Sequence, residues 1–453
     1  MPIPFKPAKT LREVFNAVDP ARPLQSGDPR YVDSTAVRGN EDVVTALYET
    51  ITWSESVTTQ LFTGHRGCGK STELLRLKEC LEQADYAVVY FEADHVIDLN
   101  NLVYTDLLIA MTRQLHASLP EIGVKPNHRL LDDVLAWFAE VVYEENNLDE
   151  VKAELAGEFK LSFPDLISPF AQMMARITGQ IKTSAQSRKQ VRQHLEPQIT
   201  QLIANINLLL RDVDVKLRKK GKQGLVLIID NLDRIPFRTL SDDGRRNSHD
   251  ALYIENGEQL RDLHCNLIYS VPIAMFYSPH APVLENIFPD NFIMPMIKTR
   301  DRNGQPYADG EAIMRTILER RIVLDEIFEQ AALERLCKAS GGHPRDLMTL
   351  VRYACRYAQP RYPKAIDVAA AERAIGRLVN GYGRMIPEEH IPLLAQVHLS
   401  KQIQNDNAHR LMLHNLSVLE YINGSPPWHD VHPAVLRLPK FQEALTHARA
   451  NQP

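Results

Sequence analysis

The sequence predicts an α/β fold, with a parallel sheet covered by helices on both faces, then a helical region and a small mixed tail. Three observations predict it. Apolar runs without alternation, such as LVLII at 225–229, fit strands buried on both faces. Segments of helical period separate these runs. A glycine-rich turn, Gly64-His65-Arg66-Gly67-Cys68-Gly69-Lys70-Ser71, joins an apolar strand at about 57–63 to a helix beginning near Lys70.

The bulk numbers bound the answer. A chain of 453 residues is long enough for two or three domains. Its 44% hydrophobic and 24% charged content is that of a soluble globular protein. A net charge of −5 excludes a surface that coats polyanions as a whole, while leaving a local basic patch open. The five cysteines form no CxxC pair, so neither a zinc knuckle nor a disulfide framework is signalled. The N-terminus lacks the apolar core of a signal peptide, and no run reaches the length of a membrane span. The expected compartment is the cytoplasm, with no membrane contact.

Residues 1–37 are rich in Pro, Asp and Ser and read as an extended arm packing on the nucleotide or a neighbouring domain. The segment 38–51 is a lead-in and a helix, with Val43, Val44, Leu47 and Ile51 on one face. Arg38 and Gly39 are candidates to sit over a nucleotide base.

The turn at 64–71 matches GxxxxGK[ST] and opens a P-loop NTPase core, expected to span 38–299. Its glycines let backbone N–H groups wrap a phosphate, and the helix N-terminus adds positive potential. His65, Arg66, Gly67, Cys68 and Gly69 form the wrap, with Thr72 just inside the helix. Lys70 is expected to reach the β- and γ-phosphates, and Ser71 to ligate Mg²⁺. ATP or ADP with Mg²⁺ are therefore the implied cofactors.

Such a loop needs a metal-site acid at the end of a neighbouring parallel strand. LVLII supplies the strand and Asp230 the acid. The attacking water then needs a base. Asn231 stands where many ATPases carry an acid, and the next carboxylate is Asp233. Asp233 can polarise the water if the chain turns back. Asn231 can instead position it, or Asp233 can simply pair with Arg234.

Between these motifs, 86–94 reads as a buried strand ending near Asp94, and 99–119 as a helix. Residues of about 120–222 are a helical insertion. Its charges separate, with nine acids from Asp132 to Glu158 and ten basic residues against three acids from Lys182 to Lys222. An apolar stripe from Val191 to Val213 makes the second part helical, with Pro197 as a kink or boundary. The basic stretch contains no aromatic residues for base stacking, which favours a packed hairpin or protein contact over a nucleic-acid arm.

Downstream, 265–276 is a strand whose polar end, Ser270, can sense a γ-phosphate. Arg245, Arg246 and Arg261 are possible trans-acting fingers. The last core strand is 291–299. Residues 300–380 form a helical lid, in which two glycines end one helix and Pro344 starts the next. Arg345 falls in that first turn, where the dipole prefers acids. A γ-phosphate reached by lid closure explains it; Asp346 as its partner is the alternative. Residues 381–453 read as helix, helix, strand, Gly-Pro hairpin, strand, and resemble a winged helix. Five basic residues against six acids in 386–453 favour protein contact over DNA. Trp428, His429 and His432 are read as hairpin core, not as a metal site.

Taken in order, the P-loop, Asp230, Ser270, the Gly-x-Pro-Arg lid and the wing resemble the STAND and origin-recognition-like branches of the AAA+-related ATPases. Pro344 looks like the STAND feature and Arg345 like the sensor arginine of the origin-recognition branch. The resemblance implies a nucleotide-controlled switch. ATP closes lid on core and favours a homo-oligomer, and ADP resets it. It also implies a separate protein effector or sensor, in a setting such as bacterial signalling or antiviral defence. A DNA-associated loader or transposition-type ATPase is the first alternative, and a scaffold holding a structural nucleotide the second.

Overall fold

The computed structural model describes residues 5–145, 147–159, 168–242, 246–358, 366–422 and 426–450. Five parallel strands form the central sheet: β1 (Thr59–Gly64), β2 (Tyr86–Glu92), β3 (Gly224–Asp230), β4 (Asn266–Pro272) and β5 (Asp290–Met294). Every residue of β3 and β4 is buried, as expected for strands covered on both faces.

The order across the sheet is β2-β3-β4-β1-β5. This corrects the expectation that the Asp230 strand adjoins the P-loop strand, because β4 stands between them. The parallel register brings Gly64 beside Pro272, and Glu92 beside Asp230. Phosphate loop and acids therefore emerge along one edge of the sheet, where ligands of open α/β sheets bind.

The insertion packs on one face. Its helices include Leu148–Phe159, Pro169–Thr183 and a long pair, Ala185–Leu195 and Ile199–Lys219. Pro197 lies in the short 3₁₀ turn joining the pair, so it marks a boundary. The buried stripe Val191, Leu195, Leu202, Ile206, Leu209 and Val213 enters the same core as β2, β3 and β4. Among the described residues, half of the ten basic residues in this stretch are matched by acids of this chain. Arg188 meets Asp98 at 2.9 Å, Lys216 meets Asp212 at 2.7 Å, Arg218 meets Asp214 at 2.8 Å and Lys222 meets Asp85 at 3.0 Å. Arg192 bridges to the buried Asp106.

The arm departs from the extended form expected of it. Residues Leu11–Ala17 are a helix, opened by a capping box in which Thr10 and Glu13 exchange backbone hydrogen bonds. Its Val14 and the following Val18 enter a second core, shared with the lid helices Ala308–Glu319, Gln330–Ala339, Pro344–Tyr357 and Val368–Met385 and with the C-terminal region.

The C-terminal region places helices His390–Ser400 and Asn407–His414 before an antiparallel hairpin, β6 (Val418–Tyr421) and β7 (Trp428–Val431), and ends in helix Pro439–Ala450. The tip of the expected Gly-Pro turn, 423–425, lies outside the described residues. Trp428 is buried and stacks on Tyr421, so the hairpin carries its own apolar core. His429 contacts Tyr277, and His432 lies against Asp346 and Tyr382.

This region is fastened to the sheet. Buried Arg410 pairs with buried Asp250 at 2.6 Å, beyond the Asp230 strand. The backbone N–H of Met296 donates to Glu420 at 3.1 Å.

Candidate nucleotide-binding site

A cleft of about 580 Å³ opens at the sheet edge, within the range of small-molecule sites. The arm forms one wall, through residues from Asn16 to Ser34. The P-loop, from Arg66 through Thr72, forms the floor. Glu92, Asn231, Asp233 and Arg234 line the acid side, and Pro344 and Arg345 come from the lid.

The loop adopts its cradle because Gly67 takes a φ of +89°, open to glycine at little cost. A Cβ there would lie 2.7 Å from that of Arg345 and 2.9 Å from His343 Nε2. The lid is thus seated directly on the loop. His343 Nε2 lies 2.7 Å from the Arg66 carbonyl, and the Arg345 N–H donates to the Gly67 carbonyl at 3.4 Å.

Lys70 is buried. Its ammonium donates to the carbonyls of Gly64 and His65 at 2.8 and 3.0 Å and pairs with Asp233 at 2.8 Å. Burial by itself disfavours both charges. The attraction of Asp233 nevertheless raises the lysine's pKa, and that of Lys70, with Arg66 and Arg234, lowers the aspartate's. Both groups are held charged. Asp233 is therefore committed to Lys70, and its alternative as a partner of Arg234 is not what the geometry adopts: Arg234 bridges to Asp94.

Asp230 is buried behind the cleft. Its carboxylate accepts from the Tyr90 hydroxyl at 2.8 Å and from the Asn231 N–H at 2.6 Å. Asn231 turns the chain with a φ of +66°, a conformation asparagine tolerates better than most residues. Its amide donates to Glu92 at 3.1 Å and to Asp94 at 2.9 Å.

Ser270 differs from its expected role. It is buried two residues before the strand end, and its hydroxyl accepts the Leu232 N–H at 3.2 Å. It braces the turn that carries Asp233 and does not line the cleft. The buried Arg38 guanidinium donates to Ser34 and to the Cys68 carbonyl, each at 2.8 Å, and to the Pro295 carbonyl. It props the P-loop at Cys68 while lining the cleft. Gly39 packs against Ile422.

Arg345 is half-buried at the cleft wall. Burial, followed by the nearby Arg234, lowers its pKa, and Asp233 opposes this. Asp346 is not its partner. That carboxylate points into the lid, accepts from Tyr382 at 2.9 Å and meets His343 and His432 at 3.3 and 3.2 Å. Of the possible fingers, Arg246 pairs with Glu255, and Arg245 lies outside the described residues.

His65 links the P-loop to the wing. Its buried ring accepts the Glu420 N–H at 2.8 Å through Nε2. Burial, then the charges of His343 and Lys70, push its pKa well down, so the ring is neutral.

Two features escaped sequence reading. The arm is pinned to the P-loop helix, because Leu24 N–H donates to the Thr72 hydroxyl at 3.2 Å and Tyr31 reaches Glu73 at 3.3 Å. Glu92 lines the same cleft as the P-loop, though only its neighbour Asp94 marks the strand end in the sequence. Strand register supplied what composition lacked.

The residues fit a nucleotide. The loop presents glycine-shaped backbone, a buried ammonium and a hydroxyl at Ser71, and Arg66, Arg234 and Arg345 bring further positive charge to one cleft. Of the two residues expected to serve Mg²⁺, Ser71 lines the cleft, whereas the Asp230 carboxylate is held behind it by Tyr90 and the Asn231 N–H. A metal there would neutralise phosphate charge.

No known protein-family profile matches the sequence, and no curated protein matches it. Solved structures that resemble it include the ORC2 protein of Aeropyrum pernix in its ADPNP–ADP complexes, at 12% identity. That match spans 96% of this chain and 98% of that one, with a TM-score of 0.41. The Walker-type ATPase of Pyrococcus abyssi is 11% identical over 95% and 99%, with a TM-score of 0.43. The ORC1 protein of A. pernix in complex with DNA is 12% identical over 97% and 98%, with a TM-score of 0.37. The fold of the present chain is a parallel α/β core carrying a P-loop, with a helical insertion, a helical lid and a winged-helix-like C-terminal region.

Proposed function

We propose that this protein is a Mg²⁺-dependent ATPase switch that controls the assembly or activity of a protein partner. One observation carries the reading. The P-loop touches the lid through Gly67 and Arg345 and the wing through His65 and Glu420. A phosphate meeting Lys70, itself paired with Asp233, acts on the same few residues that hold lid and wing in place. Nucleotide state and domain arrangement are then one equilibrium, and a ligand shifts it by its differential affinity for the two arrangements.

In this reading Lys70 and the P-loop amides hold the β- and γ-phosphates, Ser71 and Asp230 serve the metal, and Arg345 meets the γ-phosphate. Bacterial defence or signalling is a fitting context, with assembly into a homo-oligomer as the output. The test is direct. Mg²⁺-ATP should bind, and multiple-turnover phosphate release should exceed that of Lys70→Ala. Binding without turnover above that control would leave the scaffold reading instead.

DNA as the partner is the second reading, favoured by the wing-like hairpin. Among the described residues, acids of this chain pair half of the insertion's basic stretch, which lowers the charge it offers a duplex. A salt titration of duplex binding decides, since phosphate contacts must weaken steeply with salt.

A further inference from the structure

We propose that Glu92 is the general base of ATP hydrolysis and that Asn231 is the residue that positions it. This rests on the ATPase reading above and adds to it the group that takes the proton.

Four carboxylates lie near the acid side of the cleft, and three are committed. Asp233 is buried against Lys70 at 2.8 Å. Asp230 is buried, with its oxygens engaged by Tyr90 and the Asn231 N–H. Asp94 bridges to Arg234 and accepts from the Asn231 amide. Glu92 lines the cleft with its side chain 23% exposed. Among the described residues no lysine or arginine pairs with it; the Asn231 amide lies at 3.1 Å and exposed His95 at 3.4 Å, with an Asp94 oxygen within 4.8 Å. A carboxylate paired with a fixed cation is a weak proton acceptor, whereas one that accepts a single amide hydrogen bond is oriented and keeps lone pairs free for a water.

The register places Glu92 correctly. It sits level with Asp230 on the adjoining strand, at the edge from which the P-loop also emerges. Asn231 follows Asp230 directly, and its left-handed backbone accompanies an amide that reaches sideways to β2. The asparagine that leaves no acid after Asp230 is thus the group that holds one on the next strand.

In the step, a Glu92 carboxylate oxygen takes a proton from water as the water oxygen bonds the γ-phosphorus. The bond from the γ-phosphorus to the bridging oxygen breaks, and ADP leaves with that oxygen. The phosphate carries the water oxygen, and Glu92 returns its proton to bulk water.

The experiment compares wild type, Lys70→Ala, Glu92→Gln, Glu92→Asp and Asp233→Asn for ATP affinity, thermal midpoint and steady-state phosphate release. Glu92→Gln should keep its midpoint and bind ATP within about threefold of wild type, yet lose turnover about 100-fold or more, the usual weight of a general base. Glu92→Asp should retain an intermediate rate. Asp233→Asn should shift affinity more than turnover. Glu92→Gln turnover within about fivefold of wild type, well short of a general base's usual weight, or a larger loss in Asp233→Asn, overturns the assignment and leaves the ATPase reading intact. Wild-type turnover no greater than Lys70→Ala sinks both.

Discussion

Arg345 illustrates how position alone can argue for a ligand. An arginine in the first turn of a helix opposes the local dipole, and here it is also half-buried beside Arg66 and Arg234. The nearest sequence explanation, Asp346, is occupied inside the lid. A γ-phosphate would supply the missing negative charge. Arg345→Ala should therefore weaken ATP binding about tenfold, equivalent to ~1.4 kcal/mol, while ADP affinity changes by less. Paired ATP and ADP titrations check this, and equal losses would move Arg345 off the γ-phosphate. At this scale the sequence was unevenly legible. Lys70, Ser71 and the glycines were readable because their spacing follows from wrapping a phosphate. Asp233, Ser270 and Arg38 were visible as polar residues near the site. Their partners, Lys70, Leu232 N–H and the Cys68 carbonyl, depend on how distant segments meet, which no local pattern encodes.

Elements were more legible than their arrangement. The buried strands and the helix after the P-loop could be read because burial on both faces and a 3.6-residue period leave marks in composition. The order of the sheet leaves none, so the insertion of β4 between the P-loop strand and the Asp230 strand went unread. The arm misled for a different reason: Pro, Asp and Ser dominate it, yet a capping box suffices to start a two-turn helix once the lid offers an apolar surface. The lid entry turn depends on Gly342, with a φ of +80°. A Cβ there would come within 1.8 Å of the Ile297 carbonyl oxygen, just beyond β5. Alanine brings an unfavourable backbone and an overlap with main chain, together about 2–5 kcal/mol. Gly342→Ala should lower the thermal midpoint and weaken ATP binding together, because the same turn sets Arg345. Calorimetry alongside an ATP titration reads both, and a normal affinity in a destabilised variant would separate lid packing from the site.

Across the whole molecule, core and C-terminal region meet through histidines held neutral. Burial, then the nearby His414, pushes His249 down to about 3, and burial followed by Arg66 pushes His414 down to about 4. Their rings lie 5.4 Å apart, beside Arg410. His65 and His432 are lowered as well, with burial the largest cause. The sign follows from proton counting. Unfolded histidines take up protons near pH 6.5, while these folded ones refuse them. Above that pH neither state binds the proton, so stability is flat on their account. Below it the unfolded state gains protons the native state lacks, and stability falls until the folded values are reached. At pH 5 each such histidine costs about 2 kcal/mol, so His249 and His414 together cost about 4 kcal/mol relative to pH 7.5. Thermal midpoints should hold above pH 7 and drop steadily from pH 6.5 towards 4, before most carboxylates are protonated. His249→Gln, which cannot titrate, should have a lower midpoint at pH 7.5 but a shallower slope across that window. An unchanged slope would remove His249 from the account. The acid-labile contacts lie where the helix Asn407–His414 meets the segment following Asp230, so protonation there should loosen the wing from the core before the sheet itself melts.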